Sequence, residues 1–192
     1  MMNLNVYELE GHDDYEWLLP VDEEDYKLLY FEGQPMANSW RPIKMERLKN
    51  DADITGRRRR RLLKESDFPT CGSNDMLVIS QAAKDKIGSC LEQYGEILPL
   101  ACDDGDFWVL NVTRLLDAFD EKNSEFIIEP DTGRILTIDK HVFYPSKLVG
   151  APPLFKLSQK PYGSIYVMDS FVDMIKASGL KGLEFVKVWP HD

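Results

Sequence analysis

Few side chains in this chain have the chemistry for catalysis, and they are scattered. It has three histidines, His12, His141 and His191. His141 follows Asp139 at a spacing that puts both on one face of a strand, the relation in which a carboxylate orients a general base. No serine or cysteine stands near them in a recognisable nucleophile motif, so a structural His141 and a catalytic one are both open readings. The cysteines Cys71, Cys90 and Cys102 are odd in number and lack C-x-x-C spacing, which reads as reduced thiols. Asp103-Asp104-Gly105-Asp106 lacks the alternating ligands and distal glutamate of a calcium loop, and a hairpin turn accounts for the same residues. There is no G-x-G-x-x-G and no G-x-x-x-x-G-K-[ST] to cradle a phosphate. The expectation is a protein with no catalytic residues, no cofactor and no metal.

Charge offers a different kind of chemistry. The 192 residues carry a formal net charge of -10 and a pI near 4.8. Nucleic-acid binding is therefore not expected, because phosphate contacts need a cationic surface, whereas a basic cleft in a partner protein suits an acidic one. Up to Gln34 the acids face a single basic residue, Lys27. Asp22, Glu23, Glu24 and Asp25, with Asp103, Asp104 and Asp106, are the candidate partner-binding residues, since like-signed carboxylates speed encounter with a basic surface. Tyr15 and Trp17 lie close enough in sequence to serve as aromatic anchors or as core. Between Arg41 and Lys64 the sign reverses, ending in the run Arg57 to Arg61. That run reads as an exposed loop or helix start, or as a nucleic-acid contact that lacks interleaved aromatics. The opposed blocks either attract one another or form separate solvated surfaces; the second is expected for the arginines.

The elements that must position these residues are α+β in pattern: a largely antiparallel sheet with hairpins and a few short capped helices. With 43% apolar and 29% charged residues the chain can bury a substantial core. Residues 1–66 read as an N-terminal lobe and 67–192 as an α+β domain, or the whole as one continuous domain. Early strands are expected at Leu4 to Tyr7, at Trp17 and at Tyr26, followed by loop from Pro35 to Thr55. Further on, Met76–Ile79 predicts a strand and Ser80 a cap for a helix with Ala83, Ile87 and Leu91 on its buried face, stopped by Gly95. Hairpins are expected across Asp103–Gly105 and across Pro130–Gly133. Thr113 is placed to cap a short helix bearing Leu115, Leu116 and Phe119. Strands follow at Leu154–Leu157 and Ser164–Met168. Ser170 and Asp173 form a capping box for a helix that Gly179 ends, before a closing strand at Leu183–Trp189. The start of the chain lacks a basic-then-apolar leader, and no segment approaches the roughly 18 apolar residues of a membrane helix, so a cytoplasmic location away from membranes is expected.

Several short stretches, in order, carry a family likeness: Asp67-Phe68-Pro69, LVIS before a helix, Gly95-Glu96-Ile97-Leu98-Pro99-Leu100, WVLNV, and Leu116-Asp117-Ala118-Phe119-Asp120 shortly before Ser124. Leu154-Phe155-Lys156-Leu157, IYVMDSFVDMI and Gly179-Leu180-Lys181-Gly182-Leu183-Glu184-Phe185 complete them. From about Phe68 to Trp189 the chain resembles a family of bacterial immunity proteins of polymorphic toxin systems, formerly a domain of unknown function. The resemblance implies a small cytosolic protein that binds a cognate secreted toxin domain and neutralises it by stoichiometric occlusion, without cofactor or catalysis. The competing readings are a hydrolase-type enzyme that reverses toxin damage through His141 and Asp139 or a cysteine, and a nucleic-acid adaptor working through the arginine run. Homo-oligomerisation stays open.

Overall fold

The structure is a computed structural model describing residues 4–51, 61–72 and 75–190. It holds two five-stranded sheets and a separate two-stranded ribbon, with short helices packed on them. The first sheet comprises β1 (Val6–Gly11), β7 (Leu115–Leu116), β10 (Leu154–Leu157), β11 (Tyr166–Met168) and β12 (Leu183–Trp189), in the spatial order β12-β1-β11-β10-β7. The second comprises β2 (Trp17–Pro20), β3 (Lys44–Leu48), β4 (Leu77–Ser80), β5 (Gly95–Cys102) and β6 (Phe107–Val112), in the order β2-β3-β5-β6-β4. β8 (Glu125–Ile128) and β9 (Ile135–Lys140) make the ribbon. Pairing is antiparallel except for β3 with β5 and β7 with β10, so the fold is α+β as the pattern requires. Strands from either side of residue 66 pair within both sheets: β1 lies between β11 and β12, and β3 joins β5.

Strands β4, β6, β10 and β11 are buried on both faces, and the period of two along each strand divides the side chains between cores. In β4, Leu77 and Ile79 enter one cluster and Val78 the other; in β6, Leu110 and Val112 oppose Phe107 and Val109. In β11, Val167 joins the first cluster while Tyr166 and Met168 enter a third beneath the ribbon. Helix α1 (Gln81–Leu91) contributes Ala83, Ile87 and Leu91 to the first cluster. Ser80 caps it, its Oγ accepting from the Ala83 amide at 3.2 Å. α2 (Pro145–Leu148) is a single turn, and α3 (Asp169–Ser178) adds Phe171, Val172 and Ile175 to the same cluster as α1. The two strand–helix units thus close one shared core. Gly179 ends α3 at φ 70°, a left-handed position that a Cβ disfavours.

Five expectations need correction. The segment around Tyr26 is a 3₁₀ helix, Glu23–Leu29, not a strand: Asp22 caps the Glu24 amide, and the period of three turns Tyr26 and Leu29 inward. Lys44–Leu48, read as loop, is strand β3, with Met45 buried between polar neighbours. Leu115–Leu116 is β7, not a helix capped by Thr113, because the backbone of this segment pairs with β10. The box at Ser170 and Asp173 does not cap α3; Met168 is the N-cap and bonds no amide through its side chain. Asp169, in the first turn, instead accepts from the Asn5 amide and Nδ2 and from the Tyr7 hydroxyl at 3.0–3.3 Å, fastening β1 to the helix. Gly95 likewise begins β5 and does not stop α1. A Cβ there would lie 2.0 Å from the Asn111 carbonyl oxygen, so cross-strand contact demands glycine.

Candidate partner-binding surface

The candidate acidic residues follow the ends of β2 and β5, the two strands that flank the start of β3. Pro20 of β2 is opposite Met45 of β3, and Met45 is opposite Cys102 of β5. Because β2 runs antiparallel to β3 and β5 parallel to it, the chain leaves Pro20 towards Lys44, whose carbonyl the Val21 amide meets, and leaves Cys102 towards Glu46, on the two sides of β3. Val21, Asp103 and Asp104 line a recess there of about 360 Å³, together with Glu46 and Arg47. A second recess of about 490 Å³ continues from it, sharing Arg47 and Asp104 and adding Glu65, Asp67 and Asp106. Asp22 begins the 3₁₀ helix, its Oδ1 accepting from the Glu24 amide at 2.9 Å, and Glu23 and Glu24 stay exposed. Among the described residues, Glu23 and Asp25 form no ion pair, and Glu24 reaches only Lys27, at 3.8 Å. Asp103 and Asp104 therefore share one depression with Val21 and Asp106 lines the adjoining one, while Glu23 to Asp25 run onto the 3₁₀ helix.

Arg47 is the one basic group common to both recesses, and most of its charge is already answered. Its Nη2 lies 2.6 Å from Glu16 Oε2 and 3.4 Å from Glu65 Oε1, with Arg47 and Glu16 both largely buried. Burial alone would lower the guanidinium; the bonds and charges of Glu16 and Glu65 outweigh it and hold Arg47 above its ordinary value. A 5.7 Å contact over the Phe107 ring fixes the group further. Lys44 and Lys181 also line the two recesses, and Lys49 lies 3.7 Å from Asp104, so carboxylates outnumber cations there and are interspersed with them. Glu46, Arg47 and Glu65 escape a sequence reading because β3 does; the alternation of buried Ile43 and Met45 with exposed Lys44 and Glu46 is the signal that marks the strand.

The remaining candidates fall elsewhere. His141 is 6% exposed, with Nε2 2.9 Å from the Tyr166 hydroxyl and its ring stacked on Phe143, whereas Asp139 is exposed. The histidine belongs to an aromatic core cluster with Phe119 and Tyr166. Cys71 is buried, and that burial pushes its thiol up to about 12, so it holds little thiolate near neutrality. Trp17 and Tyr15 are half-buried, the Tyr15 ring lying beneath Lys64. Arg57 to Arg60 and His191 lie outside the described residues. Arg61 does meet the acidic block, contrary to the separate surfaces expected: it pairs with Asp14 at 2.6 Å and Asp51 at 3.6 Å, and Lys64 pairs with Asp14 at 3.1 Å. Both cations hold the Asp14 carboxyl below its ordinary value. Among the described residues no cluster of three or more His, Cys, Asp or Glu has metal-binding geometry, and no helix is long and apolar enough to cross a membrane.

The fold is α+β, with two adjoining recesses lined by charged side chains beside β3. Residues 100–189 match the family model described as Immunity protein family (Imm11), as an immunity-protein domain would. The stretch runs from the end of β5 through β12 and includes Asp103, Asp104 and Asp106. No curated protein matches the chain.

Proposed function

We propose that the chain is an immunity protein of a polymorphic toxin system, which binds a cognate secreted toxin domain in the bacterial cytoplasm and neutralises it stoichiometrically by occlusion. The match of residues 100–189 to an immunity protein family carries this reading. The carboxylate-lined recesses at Val21, Asp103 and Asp104 support it, because they suit a basic cleft. In this reading Asp22, Glu23, Glu24, Asp25, Asp103, Asp104 and Asp106 steer the encounter, buried apolar anchors supply affinity, and no bond is made or broken. Segments 1–66 and 67–192 act as one folded unit.

Co-expression with the toxin domain encoded beside this chain tests the proposal. The expected outcome is rescued growth and a stoichiometric complex on size-exclusion chromatography. Asp103→Lys with Asp104→Lys should slow association about tenfold in low salt, with the difference shrinking as ionic strength rises. Continued killing with no complex would remove the proposal.

A further inference from the structure

The β8–β9 ribbon leaves β8, a strand with exposed apolar side chains, open along its outer edge among the described residues. Two-stranded ribbons are marginal on their own in water, and this one is secured along β9. Lys160 Nζ donates to the Leu136 carbonyl at 2.7 Å, the Tyr162 hydroxyl donates to the Ile135 carbonyl at 3.0 Å, and Arg134 lies 3.9 Å over the Tyr162 ring while pairing with Glu32. Phe126 turns inward, 5.8 Å from Phe119. The outer edge of β8 has no such support: among the described residues, nothing outside the hairpin bonds to the backbone of Glu125–Ile128. Register shifts beside Phe126 and between Ile127 and Ile128 break the in–out alternation, so consecutive isoleucines stand 53% and 49% exposed. Leu136, between their partners on β9, is 49% exposed. Native proteins ordinarily shield an apolar edge of this kind.

We propose that β8 is the strand to which the toxin adds one of its own, an extended segment apolar at its centre and basic at its ends. This rests on the partner reading above. Main-chain bonds along the open edge would supply affinity, and Ile127 and Ile128 would meet the incoming apolar side chains. Charge selects the occupant. Glu125 and Glu129 bracket the isoleucines, and among the described residues the cation paired with Glu125 is Lys140, 3.7 Å away and exposed. A second copy paired antiparallel about Ile127 would set each Glu125 against the other chain's Glu129 and bring together two molecules of net charge -10. Centred on Ile128, the same pairing would place Pro130, which has no amide hydrogen, opposite Phe126. A basic-flanked strand meets neither obstacle.

The test combines the purified chain with the toxin domain encoded beside it and follows backbone amide exchange. Amides of Glu125–Ile128 should gain protection in the complex. Ile127→Asp should weaken binding about tenfold or more, as expected for an anchor. If that variant misfolds, Ile127→Thr, which keeps the β-branch, should weaken it in the same direction at an unchanged melting temperature. Glu125→Lys with Glu129→Lys should slow association. A neutralising complex in which β8 exchanges as fast as in the free chain would overturn this proposal alone. A toxin-free dimer that protects β8 would assign the edge to a second copy and overturn it as well. Absence of any complex would overturn the partner reading and this proposal together.

Discussion

Lys156 shows how a single residue departs from the rule that cations stay wet. It is 1% exposed in β10, and its ammonium reaches the Phe31 carbonyl at 3.3 Å. Burial lowers it from 10.5 to about 8, opposed in part by the charge of Asp75. Because the folded value lies below the unfolded one, between pH 8 and 10.5 the unfolded chain holds a proton that the folded chain lacks. This group's contribution to stability therefore rises with pH across that window. Urea unfolding of the wild type and Lys156→Met at pH 7 and pH 10.5 should show the wild type gaining on the variant by up to roughly 3 kcal/mol. An unchanged difference would mean the lysine is not protonation-penalised. The sequence discloses neither this lysine's burial nor the stacking of His141 on Phe143, since both depend on which strands become neighbours. Spacing alone places Asp139 beside His141; the aromatic cluster then separates a buried ring from an exposed carboxylate.

Among the elements, the parts legible in the sequence are those governed by local chemistry. The Ser80 cap, both hairpins and the glycine end of α3 follow from residues within a few positions of one another. The elements misread are those decided by distant partners. β7 exists because β10 offers it a ladder, and β3 because β2 and β5 flank it. Gly95 makes the distinction measurable. Gly95→Ala forces a Cβ against the backbone of Asn111 and should cost about 2–4 kcal/mol in thermal or urea unfolding. Gly179→Ala meets open space and bears only the left-handed backbone, for about 1–2 kcal/mol. Were Gly95 merely a helix stop, the two losses would be alike. The acidic recesses fall between these cases: their carboxylates are evident in the sequence, but the convergence with Glu46 and Glu65 depends on β3.

Across the whole molecule, the fold class was legible because alternating strands, turns and capped helices share one pattern, while the order of strands was not. The family-matched stretch 100–189 lies within the resemblance over residues 68 to 189, yet both five-stranded sheets draw strands from before residue 66. A fragment of residues 67–192 would lack β1, β2 and β3, which leaves Val6, Leu9, Leu18 and Met45 missing from all three cores. Such a fragment should show no cooperative melting transition by circular dichroism. A sharp transition would establish that the C-terminal segment folds alone.

The pairing of β1 with β12, in which Val6 faces Trp189, has a consequence during biosynthesis. β1 leaves the ribosome well before β12 and must wait for it, on the order of ten seconds or more at ordinary elongation rates. Until then its buried face lies open to chaperones and proteases. A copy stopped before Leu183 lacks β12 and leaves that edge of β1 unpaired.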